Sequence, residues 1–168
     1  ARVGQSGATS PRPSWSDTNR FAAQRVASRA MSPELPLTGG CLCGAVRYEV
    51  DEPLVAAGYC HCSRCQQRTG TAASATALAR PRSVRVVRGE GLVRAWEPEG
   101  GWAKLFCEAC GSALFSRNPA DPEQLGVRLG TFDEDPGVRP SYRQFVAYAA
   151  PWEPIPDDGL ERFPERRS

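Results

Sequence analysis

From Leu37 onward apolar and polar residues trade places in short runs separated by glycine and proline. Ala45-Val46-Arg47-Tyr48-Glu49-Val50 alternates with period two, as a half-buried strand should. Similar runs are Val84 to Arg88, Leu92 to Trp96, Trp102 to Phe106, Ala113 to Ser116, Leu125 to Phe132 and Tyr142 to Tyr148. Turn signals fall between them at Gly89-Glu90-Gly91, Glu99-Gly100-Gly101, Asn118-Pro119 and Asp135-Pro136-Gly137. One helical turn is expected at Ser63 to Arg68, opened by its serine and closed by Gly70. Strands at this spacing without long helices between them predict a mainly β, antiparallel sandwich or folded sheet with few short helices.

The first 35 residues read differently. They are rich in Ser, Ala, Arg, Pro and Gly and poor in bulky apolar residues, so they bury too little surface to offset their ordering entropy. The expectation is a disordered leader or non-native extension over 1–35, with translation starting naturally at Met31. An Arg-rich, acid-poor leader also fits an organelle transit peptide, although Asn19 to Ala30 makes only a weak amphipathic helix. Residues 36–168 are expected to form a single domain, long enough to bury a real core.

Charge changes the picture once it is divided. Residues 1–31 hold five arginines and one acid, a net of +4, so a total of +2 leaves about −2 on the body. A body of that charge carries no basic field for nucleic acid. No apolar run reaches membrane-spanning length, and none follows a basic start as a signal peptide would. The seven cysteines are an odd number, and full disulfide pairing would strand one. A reducing, cytoplasmic setting with metal or catalytic roles follows.

The cysteines fall in three clusters: Cys41-Leu42-Cys43 before Gly44, Cys60-His61-Cys62-Ser63-Arg64-Cys65, and Cys107-Glu108-Ala109-Cys110 before Gly111. Zinc takes four thiolates in a tetrahedron, and two distant pairs can supply them. Cys41, Cys43, Cys107 and Cys110 would then form a closed structural site, with backbone N–H groups near Gly44 and Gly111 donating to the sulfurs. The middle cluster runs from a strand end into the helical turn, and in extended backbone Cys60 and Cys62 share a face opposite His61. Cys60, Cys62 and Cys65 make three ligands and leave one position open for substrate, the pattern of a reactive zinc. Three alternatives stay open: disulfides only, a purely structural trio, and a closed site completed by His61.

Three stretches together resemble the glutathione-dependent formaldehyde-activating enzyme family, which also includes centromere protein V. They are Gly39 to Tyr48, Cys60 to Cys65 with Thr69-Gly70, and Phe106 to Phe115. The resemblance runs from about Leu37 to Trp152 and Phe163. It implies a β-tent fold related to zinc-binding Rab accessory proteins, a structural zinc on the four cysteines and a second zinc on the three. It also implies carbon–sulfur lyase chemistry, the condensation of glutathione with formaldehyde to S-hydroxymethylglutathione. The expected function is therefore a zinc-dependent carbon–sulfur lyase or synthase acting on adducts of a small aldehyde with glutathione or another low-molecular-weight thiol. The alternative is a non-catalytic zinc module that binds a protein partner. No general base stands out; His61, Glu108 and Tyr48 are candidates by residue type. Residues 71–79 are small where relatives carry aromatics, which predicts a changed pocket wall.

Overall fold

Short strands and one short helix build the computed structural model, which describes residues 33–167. The expectations for residues 1–32, including the start at Met31 and the weak helix Asn19 to Ala30, lie outside the described residues.

The first sheet has three antiparallel strands in the order β1-β2-β5: β1 (Leu37–Gly40), β2 (Arg47–Val50) and β5 (Val84–Arg88). The second starts with β3 (Ala56–Cys60), β4 (Ser74–Leu78), β6 (Val93–Trp96) and β7 (Ala103–Cys107). It continues with β8 (Ala113–Arg117), β9 (Leu125–Arg128), β10 (Pro140–Gln144) and β11 (Glu161–Phe163). These eight lie in the order β11-β10-β3-β4-β9-β8-β7-β6. The mainly β, largely antiparallel architecture expected from the sequence is present. Its exception is β10, which runs parallel to both β3 and β11.

The period-two pattern of β2 explains how the sheets join. Tyr48 and Val50 are fully buried, as are Val46 just before the strand and Val127, Leu114 and Phe115 from the larger sheet. Tyr48 meets Phe115 edge-on at 5.0 Å and Phe132 at 5.8 Å between ring centroids, geometries that aromatic quadrupoles favour. Its hydroxyl is not left bare, because Thr131 Oγ1 lies at 2.8 Å. Burial pushes this phenol up from its ordinary acidity despite that bond.

Two predicted strands stop early, for local reasons. The Leu125 to Phe132 run ends as β9 at Arg128 and passes into a 3-10 turn, Leu129–Thr131; Thr131 Oγ1 caps the Arg128 carbonyl at 2.7 Å. The Tyr142 to Tyr148 run ends as β10 at Gln144 because Phe145 turns left-handed, φ 58°, into a second 3-10 turn. The predicted helix is α1 (Ser63–Thr69), entered through Cys62 rather than Ser63 and closed by Gly70 in the left-handed region, where a missing Cβ removes the steric cost.

Candidate metal centres and active site

The hairpin turn between β1 and β2 carries Cys41 and Cys43, and the turn between β7 and β8 carries Cys107 and Cys110. All four sulfurs lie within 4.8 Å of one another. Cys41 and Cys43 Sγ are 3.4 Å apart, and Cys43 and Cys107 Sγ 4.0 Å. A disulfide needs about 2.05 Å, and all seven cysteines are free thiols. A tetrahedron with arms of about 2.3 Å has edges of about 3.8 Å, so the donor set fits a tetrahedral soft ion. Val46 N–H donates to Cys41 Sγ at 3.2 Å, and Ser112 Oγ lies 3.2 Å from Cys110 Sγ. The Val46 N–H, two residues after Gly44, is a donor of the kind expected there, whereas the Gly44 and Gly111 amides themselves are not. They close their turns instead on the Cys41 and Cys107 carbonyls, at 3.0 and 2.8 Å.

The second set is assembled by a strand end and a helix start. Cys60 closes β3, Cys62 precedes α1 with extended backbone, and Cys65 is buried in the first turn of α1. Their sulfurs also lie within 4.8 Å of one another. The Cys60 and Cys62 thiols donate toward Cys65 and hold its acidity well above an ordinary thiol, with Ser74 and Arg128 adding to the effect. Contacts with Cys62 and Cys65, together with burial, keep Cys60 protonated. Three thiols so placed cannot all lose protons without a cation among them, and this too fits a metal site.

His61 does not join that set. Its backbone N–H donates to the Gln144 carbonyl at 3.0 Å, and its ring Nε2 meets Arg143 Nη1 at 3.2 Å. Arg143 continues to Asp158 through its Nη2 at 2.6 Å and stacks on the Tyr59 ring at 4.4 Å. Burial and then the Arg143 guanidinium lower the imidazole's affinity for a second proton. The ring is buried and tied to Arg143.

The trio opens into a cavity of about 450 Å³. The four-cysteine set is absent from its lining. One wall is β4, whose Ser74, Thr76 and Leu78 face the space, so the small residues of the 71–79 stretch do shape it. Tyr142 lies flat on Gly58 across the β10–β3 pair: a Cβ at Gly58 would fall 2.3 Å from the ring.

Two basic residues that sequence reasoning passed over lie in this cavity. Arg128 is buried at the end of β9 and donates through Nη1 to Ser74 Oγ at 2.9 Å and through Nη2 to Ser116 Oγ at 2.9 Å. Burial lowers its pKa, and the nearby Cys65 opposes that shift. Lys104, half-buried in β7, is likewise lowered by burial; Cys65 opposes this and Arg128 adds to it. The available signals were an arginine inside the apolar run Leu125 to Phe132 and the chain's only lysine inside a strand. The candidate bases lie elsewhere. Neither His61, Glu108 nor Tyr48 lines the cavity; Glu108 pairs with Arg94 at 2.5 Å, and Tyr48 belongs to the core.

Among the described residues no helix is long and apolar enough to cross a membrane.

Comparison with known proteins agrees with this geometry. A family model described as "Glutathione-dependent formaldehyde-activating enzyme" matches residues 36–148. A Halomonas elongata protein described as "Putative glutathione-dependent formaldehyde-activating enzyme" is 30% identical over 105 residues, 59% of this chain and 67% of that protein. The crystal structure of a Rhodobacter sphaeroides protein is similar with a TM-score of 0.50 and 26% identity, covering 76% of this chain and 99% of the other. With the family model spanning both cysteine sets and the strands that carry them, the chain belongs to the glutathione-dependent formaldehyde-activating enzyme family.

Proposed function

We propose that the protein is a zinc-dependent carbon–sulfur lyase or synthase. In this reading it joins a glutathione-like thiol to a small aldehyde, or parts the two again. Cys41, Cys43, Cys107 and Cys110 hold a closed structural zinc, and Cys60, Cys62 and Cys65 hold a second zinc with one position left for substrate. The observation that carries the reading is the placement of the trio alone in a concave cavity, because chemistry on a small molecule needs a site that surrounds it. Zinc held by the three sulfurs would lower the pKa of a thiol bound to it toward neutrality.

The reaction balances without a redox partner. The thiol sulfur bonds to the carbonyl carbon, the carbonyl π pair moves to oxygen, and the proton lost by the thiol ends on that oxygen. In reverse the carbon–sulfur bond breaks and its electrons stay with sulfur. Lys104 offers a cationic N–H donor in the cavity wall for the oxygen as it gains charge, which counts for more in a partly dry site than in water. Arg128 sits beside Cys65 and offsets the excess negative charge of three thiolates. A non-catalytic zinc module is the competing outcome.

Cobalt substitution separates the two. Adding glutathione to the cobalt-loaded protein should change the thiolate-to-metal absorption bands, Cys62→Ser should abolish that change, and the formaldehyde adduct should turn over. Spectra indifferent to glutathione and to simple thiols, with no turnover, would leave the binding-module reading.

A further inference from the structure

We infer that the cavity selects thiols that carry carboxylates, and that Arg166 and Arg167 at the end of the chain form its carboxylate-capture site. This deepens the proposed function and rests on it for the reason a thiol enters the cavity at all.

The first observation is the charge of the lining. Arg64, Lys104, Arg128, Arg166 and Arg167 all border the space, and no aspartate or glutamate does. Residues 32–168 carry a net charge of about −2, so a lining in which every charged side chain apart from the cysteines is basic is a local arrangement. The second observation is how those charges are left. Ion pairs among the described residues take up Arg47, Arg80, Arg85, Arg94, Arg117, Arg139 and Arg143. None of the five cavity cations has a carboxylate partner among those residues. Arg128 and Lys104 face the cysteine trio, which leaves Arg64, Arg166 and Arg167; cations in a concave, partly desolvated site attract anions far better than the same cations on an open surface.

The two tail arginines are also held in place. After β11 the backbone returns along the end of β10: Phe145 N–H donates to the Glu165 carbonyl at 3.0 Å and Ala147 N–H to the Pro164 carbonyl at 3.2 Å. Arg167 N–H donates to Gln144 Oε1 at 3.2 Å, and Tyr148 hydroxyl binds Glu165 Oε1 at 2.9 Å. Glu165, the nearest acid on the tail, is thereby engaged by Tyr148. The Arg167 guanidinium lies 4.6 Å from the Tyr142 ring, and that of Arg166 lies 5.9 Å from the Trp102 ring. Stacking on an aromatic face orients a guanidinium without neutralising it and leaves its N–H fork free for a carboxylate. This tail lies beyond residues 36–148, the span that the family model matches.

A probe without a thiol isolates the capture site from the metal. S-methylglutathione keeps both carboxylates but cannot present a thiolate, and its diethyl ester keeps the shape without them. Calorimetry on the full chain should show the acid binding at least about tenfold more tightly than the ester. The pair Arg166→Gln with Arg167→Gln, which removes both charges and keeps polar side chains, should weaken the acid by roughly tenfold or more and leave the ester unchanged. Arg167→Glu alone should weaken the acid further than Arg167→Gln. Equal binding of acid and ester by the wild type, no binding of either, or full retention by the glutamine pair would overturn the inference. Failure of the underlying function shows differently, as cobalt bands that do not respond to 2-mercaptoethanol in either the wild type or the glutamine pair.

Discussion

Arg47 and Asp133 meet where the small sheet touches the loop after β9, with Arg47 Nη1 donating to Asp133 Oδ1 at 2.9 Å. Thr38 Oγ1 donates to Oδ2 of the same carboxylate at 2.6 Å, and Asp133 N–H returns a bond to the Thr38 carbonyl at 3.0 Å. The Arg47 hydrogen bond is the main reason this carboxyl stays below its ordinary pKa, with burial opposing and Thr38 assisting. A depressed folded pKa stabilises the fold above the unfolded value and loses that contribution as pH falls through the folded one. Asp133→Asn should therefore lower the melting temperature at pH 7 by a few degrees. That gap should close as the pH is taken below about 4, the unfolded carboxyl value. Solvent reaches both partners, so the gap should also shrink in high salt. A gap that stays constant from pH 7 to pH 2 would show that Asp133 acts through packing instead.

Each cysteine set is fixed by elements rather than by neighbours in sequence, and the two sets differ in what they join. The four-cysteine set ties the β1–β2 hairpin of the small sheet to the β7–β8 hairpin of the large one, with Cys107 fully buried. The trio ties only the end of β3 to the start of α1. If both hold zinc as proposed, removing a ligand from the first uncouples two sheets, and the metal's binding free energy there is folding free energy. Cys107→Ser should lower the melting temperature by more than about 10 °C or prevent folding, since about 3 kcal/mol already shifts a domain of this size by that much. Cys65→Ser should remain folded, with a loss of a few degrees. Thermal melts of the two variants decide the matter, and equal losses would erase the distinction between a structural and a reactive site.

At the scale of the whole molecule the two centres should differ in how they release metal. The proposed structural centre has four protein sulfurs and sits outside the cavity, whereas the trio has three and lines it. Purified protein should carry about two zinc ions per chain by elemental analysis. A mild chelator should take one of them first, with little change in the melting curve, and removal of the second should unfold the chain. A single tightly held ion, unaffected by Cys62→Ser, would sink the two-centre reading.

Local spacing settled much of this molecule in advance. The two-residue period put Tyr48 and Val50 in the core, and Gly70 ended α1 because only a glycine enters the left-handed region without steric cost. The CxC, CxCxxC and CxxC spacings named all seven cysteines and sorted them into the two sets that the fold brings together. Tertiary structure alone decided the rest. Strands β3 and β4, Ala56–Cys60 and Ser74–Leu78, consist largely of small residues with little strand propensity of their own, and become strands because neighbours pair with them on both sides. The parallel insertion of β10 between β3 and β11 joins segments more than eighty residues apart, which no local pattern encodes. That insertion places Tyr142 over Gly58 and carries the chain's end to the cavity. Arg128, Lys104, Arg166 and Arg167 thus meet three cysteines far from them in sequence. A charge reads from sequence as a solvated side chain until the fold removes its water and its counterions, so the two cysteine sets were legible residue by residue and the cavity beside three of them was not.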